Sequence, residues 1–71
     1  MRWECRYSSC EMMYLEVEPG GVKLYLDHSV NRGDHYTFEQ VLDGALDGEV
    51  GNLFGHETLA ELKAAVRAQQ A

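Results

Sequence analysis

The sequence predicts an α+β domain: a three-stranded antiparallel β-meander followed by two α-helices. Residues 1–27 alternate apolar and polar side chains with the period of a half-buried strand, and the chain from residue 37 onward changes to the spacing of a helix. Two turn signals, Ser8-Ser9-Cys10 and Pro19-Gly20-Gly21, divide the alternating part into three. Two capping boxes, Thr37 with Gln40 and Thr58 with Glu61, open the helical part.

In the first strand Trp3, Cys5 and Tyr7 face one side, and Arg2, Glu4 and Arg6 the other. Glu11 to Glu18 continues the pattern, with Met13, Leu15 and Val17 opposed to Met12, Tyr14, Glu16 and Glu18, and a third run covers Val22 to Asp27. A hairpin must bring both apolar sets to one face, and this condition fixes the register. Pairing Val17 with Val22 sets Leu15 beside Leu24 and Met13 beside Leu26 inside, with Glu16 opposite Lys23 and Tyr14 opposite Tyr25 outside. Pairing Tyr7 with Glu11 brings Cys5 to Met13, Trp3 to Leu15 and Arg2 to Glu16. Opposite charges and paired aromatics across strands are both stabilising.

Ser29 to His35 reads as a polar connection. It leads to a helix from Thr37 to Asp47 whose stripe is Phe38, Val41, Leu42, Ala45 and Leu46, with Tyr36 placed to staple onto Val41 and Gly48 to supply a left-handed C-terminal cap. Val50, Leu53 and Phe54 in the following connector are expected to tuck under the sheet. The last helix runs from Thr58 to about Gln69 and buries Leu59, Leu62, Ala65 and Val66. The predicted core is Trp3, Leu15, Val17, Leu24, Leu26, Phe38, Val41, Leu42, Leu59, Leu62 and Val66.

At 71 residues the chain has room for a single small globular domain, 1–71, and its 45% hydrophobic and 25% charged residues are those of an ordinary folded protein. A net charge of -6 argues against direct binding to phosphate backbones, which requires Lys and Arg to displace counterions. No apolar run has the length of a signal sequence or a membrane span, so a cytoplasmic protein with reduced Cys5 and Cys10 is expected. Cys5, Cys10, His28, His35 and His56 lack the close paired spacing of a zinc site, and Asp43-Gly44 and Asp47-Gly48 lack the order of a calcium loop. Ser8, Ser9, Cys10 and Ser29 carry no nucleophile signature around them. The expectation is no enzyme, no catalytic residue, no cofactor and no metal.

What remains is charge. Asp34, Glu39, Asp43, Asp47, Glu49, Glu57 and Glu61 occupy a segment that contains no Lys or Arg, and they are the candidate partner-binding residues. Glu39, Asp43 and Asp47 would line one side of a continuous helix, where like charges four residues apart repel. In length, acidic surplus over residues 34–61, compact α+β pattern and lack of catalytic residues, the chain resembles the small acidic phage-encoded anti-CRISPR proteins and related DNA mimics. The resemblance is one of overall character and involves no motif. It implies an inhibitor that blocks nucleic-acid engagement by a basic nucleic-acid-binding protein, such as a Cas subunit, with Glu39, Asp43, Asp47 and Glu49 meeting the partner's Lys and Arg. A monomer or weak dimer is expected. The alternatives are a non-enzymatic regulatory adaptor that binds a protein through the outer sheet face, with Tyr14 and Tyr25 as contacts, and a small metal-binding protein.

Overall fold

A computed structural model describes residues 1–27 and 33–70. Its elements are β1 (Arg2–Arg6), β2 (Met12–Glu18), β3 (Gly21–Leu26), β4 (Asp34–Tyr36), α1 (Phe38–Leu42), α2 (Asp47–Leu53) and α3 (His56–Gln70). The strands form one antiparallel sheet in the order β1-β2-β3-β4. The class is α+β as expected, with one strand and one helix more than the sequence pattern predicts.

Both hairpin registers follow the apolar and charge pairing. Trp3 lies opposite Leu15 and Arg2 opposite Glu16, while Leu15 meets Leu24, Glu16 meets Lys23 and Tyr14 meets Tyr25. Because Glu18 pairs with Gly21, the second hairpin closes through Pro19-Gly20 alone. Gly20 does not use a left-handed backbone. Gly21 answers a different demand: a Cβ there would stand 2.6 Å from the carbonyl oxygen of Tyr36, so the missing side chain lets the end of β4 lie against β3.

The fourth strand corrects the polar connection. His28, Ser29 and the rest of 28–32 lie outside the described residues, but Asp34, His35 and Tyr36 pair with Leu24, Lys23 and Val22. Three residues are too few to display alternation in a sequence. Tyr36 falls on the inner face and packs on the core, and His35 falls on the outer face across from Lys23.

The predicted helix from Thr37 to Asp47 is only α1 and a turn over 43–46, and the stretch expected to be a connector after it is mostly α2. The start of α1 is as expected: the Gln40 amide donates to Thr37 Oγ1 at 3.1 Å, and the Thr37 amide donates to Gln40 Oε1 at 2.9 Å. Its end comes early, at Leu42, in a Schellman motif. Ala45 N–H donates to the Gln40 carbonyl at 3.0 Å and Gly44 N–H to the Val41 carbonyl at 3.2 Å, with Gly44 at φ 100°. The capping glycine is therefore Gly44, and Gly48 lies inside α2. A second left-handed residue, Gly55, ends α2 and begins α3, where Leu59 N–H reaches the Gly55 carbonyl at 3.2 Å. Thr58 is consequently the third residue of α3, and the second capping box does not mark the helix start.

The buried core is Met13, Leu15, Val17, Val22, Leu24, Val41, Leu46, Val50, Leu62 and Val66. Trp3, Leu26, Phe38, Leu42 and Leu59, expected inside, are only partly buried at its border. Leu46, expected in the helix stripe, and Val50, expected to tuck under the sheet, are fully buried. Ala45, expected in the stripe, is exposed because α1 ends before it. Full burial of such a side chain is worth about 1.5–3 kcal/mol. α1 rests on β3, α3 rests on β2, and α2 packs on α3. Among the described residues no helix is long and apolar enough to cross a membrane.

Candidate functional site

The seven candidate carboxylates are all exposed or half-exposed, and they are spread over four elements rather than one. Asp34 is on β4. Glu39 and Asp43 belong to α1 and its C-cap, Asp47 and Glu49 to α2, and Glu57 and Glu61 to α3. The break at Gly44 removes the straight Glu39, Asp43, Asp47 row that a continuous helix would have produced. Asp47 is also not unpaired: Lys63 Nζ of α3 lies 2.9 Å from its Oδ1.

Local folding accounts for part of this charge. Glu39, Asp47, Glu49 and Glu57 stand in the first turns of their helices, where carboxylates interact favourably with the exposed N–H groups and the helix dipole. Asp34, Asp43 and Glu61 have no such role. Asp43 is placed against its helix dipole, at the C-cap of α1 with no basic residue in the last turn, a position that costs about 0.3–1 kcal/mol.

Charge is divided between the layers. From residue 34 onward seven carboxylates face two cations, Lys63 and Arg67, so this part of the chain carries -5 of the total -6. The cations Arg2 and Lys23 lie on the other side of the sheet, over aromatic rings.

The outer sheet face has its own constellation. Tyr14 and Tyr25 stack with ring centroids 5.3 Å apart and planes inclined by 28°. The Arg2 guanidinium sits 4.9 Å from the Tyr14 ring centre and the Lys23 ammonium 5.0 Å from that of Tyr25. The Tyr25 hydroxyl donates to Glu16 Oε1 at 3.4 Å. A hydrogen bond to Asp27 raises the Tyr14 phenol above its usual pKa, and a hydrogen bond to Tyr25 raises the Arg2 guanidinium. The register predicts the tyrosine pair. His35 joins this face only because β4 exists, which no sequence period revealed.

An open depression of about 290 Å³ lies where the second hairpin meets β4, lined by Glu18, Val22, His35, Tyr36 and Thr37 among others. Among the described residues no three His, Cys, Asp or Glu side chains gather as a metal site would require. Cys5 and Cys10 are both free thiols, the first half-buried and the second exposed. No protein-family model, curated protein or solved structure matches the chain.

Proposed function

We propose that this protein is a non-enzymatic binding module whose acidic helical layer docks on a basic, nucleic-acid-binding protein and keeps nucleic acid from it. The observation that supports this reading is the division of charge, with -5 on the helical side and β4 and the cations Arg2 and Lys23 held over rings on the opposite face. A cationic groove built for phosphates attracts such a layer at long range, which speeds association and sets orientation. An anti-CRISPR protein acting on a Cas subunit is the specific form suggested by the resemblance.

The residues to test are Asp34, Asp43 and Glu61, because their charge serves no helix start. Reversing all three to Lys leaves the core untouched and should hold thermal stability at or above wild type. Partner capture from a host lysate should fall sharply, and the wild-type complex should dissociate as salt rises from about 0.1 to 0.5 M, where the Debye length shrinks from about 10 Å toward 4 Å. Equal capture by the reversed protein at low salt, or an acidic partner, would defeat this function. The Tyr14–Tyr25 stack supports a second reading, an adaptor that binds through the sheet face. In that case Tyr14→Ala with Tyr25→Ala abolishes capture, and salt has little effect.

A further inference from the structure

The sheet has one long open edge. Tyr7 N–H donates to the Glu11 carbonyl at 3.0 Å and Val17 N–H to the Met1 carbonyl at 2.9 Å, so the odd residues of β1 turn their main-chain groups toward β2. By strand alternation Arg2, Glu4 and Arg6 turn theirs outward, where the described residues supply no strand to pair with. The other edge, β4, offers only three residues. On the inner face the helices rest on β2 and β3, leaving Trp3 and Cys5 half-exposed and Tyr7 50% exposed along the β1 border.

We propose that this edge receives a second copy of the same chain, β1 pairing antiparallel with β1 about a twofold axis at Cys5. In this register Glu4 lies opposite the second copy's Arg6, and Arg6 opposite its Glu4, both on the outer face. Trp3 lies opposite the second copy's Tyr7 on the inner face, so each exposed ring gains an aromatic neighbour. The outward main-chain groups of Glu4 and Arg6 form the hydrogen-bonded pairs. Cys5 meets its own copy in a non-hydrogen-bonded pair, where Cα atoms stand about 4.5 Å apart.

Other symmetric registers are poorer. An axis at Glu4 sets Glu4 against Glu4 and Arg2 against Arg6, like charge on like charge. An axis at Trp3 matches Arg2 with Glu4 but sets Trp3 against its own copy and Cys5 against Met1, so Trp3 and Tyr7 do not meet. Charged residues on an edge strand usually discourage pairing. Here their alternation of sign makes the edge complementary to itself in one register.

The axis stands perpendicular to the sheet, so both helical layers lie on the same side and the acidic surface doubles in length. The dimer itself holds whether or not that surface has the partner proposed above. Buried area from one short strand pair belongs to the transient class, below about 1,200 Å², so dimers should form reversibly between micromolar and millimolar concentration.

Sedimentation velocity across that range tests the assembly, with circular dichroism confirming that each variant is folded. Glu4→Arg places like charge opposite Arg6 and should weaken dimerisation by at least about tenfold. Combining Glu4→Arg with Arg6→Glu exchanges the two partners and should restore it. In a Cys10→Ser background, diamide, which takes up two electrons and two protons from a thiol pair, should link Cys5 to Cys5 readily, because that Cα spacing suits a disulfide. A protein monomeric at millimolar concentration overturns the proposal. So does a double reversal that fails to restore the dimer, or Cys5 linkage that proceeds as fast in the Glu4→Arg variant.

Discussion

Lys63 Nζ stands 2.9 Å from Asp47 Oδ1 and ties the middle of α3 to the first residue of α2. It joins two elements that the sequence presents as one continuous helix end and a later helix. The pair is substantially exposed, so its direct worth is small. Lys63→Met should lower stability by less than about 1 kcal/mol in chemical denaturation, with the difference shrinking in high salt. A loss of several kcal/mol would show that the pair anchors α2 in place of the packing of Val50.

The two Asp-Gly steps should respond to alanine with opposite sign. Gly44 holds φ 100°, and a Cβ there would come within 3.2 Å of Asp47 Oδ2, so Gly44→Ala is expected to cost about 1–2 kcal/mol. Gly48 is inside α2, where an added Cβ would meet nothing within 4 Å, and Gly48→Ala should stabilise by about 0.5–1 kcal/mol. Thermal melts of the two variants decide it. If Gly48→Ala were the destabilising one, the helix would end where the sequence pattern alone suggests.

Stability should fall at alkaline pH, beginning with Cys5. Burial pushes its thiol pKa up, so the folded state favours the protonated form. That contribution is complete below the unfolded thiol value of about 8.5 and is lost as pH rises through the higher folded value. Burial raises Tyr36, and the bond to Asp27 raises Tyr14, so both add a loss of the same sign starting near pH 10. Urea midpoints between about pH 8 and 9.5 should decline in the wild type and stay flatter in Cys5→Ala. Parallel decline in both proteins would remove Cys5 as the cause.

The sheet was legible because its evidence is local and self-checking. Leu15 against Leu24, Glu16 against Lys23 and Tyr14 against Tyr25 must all agree for one register to hold, and a slip by one residue would turn every apolar side chain to water. The Thr37–Gln40 cap was legible for the same reason, since both of its hydrogen bonds join residues three apart. The seven carboxylates were legible as residues, but not as a surface.

Tertiary structure decided the rest. Phe38 to Leu46 keeps a helical period throughout, yet Gly44 can stop the helix, and with the early stop Leu46 and Val50 are both fully buried. β4 depends on pairing with the free edge of β3, and on the space that Gly21 leaves beside Tyr36, neither of which has a period in the sequence. Composition and pattern by themselves determined the charge, the class and the inner face of the meander. Where each carboxylate points, and which edge remains open, followed from long-range contacts that no local pattern encodes.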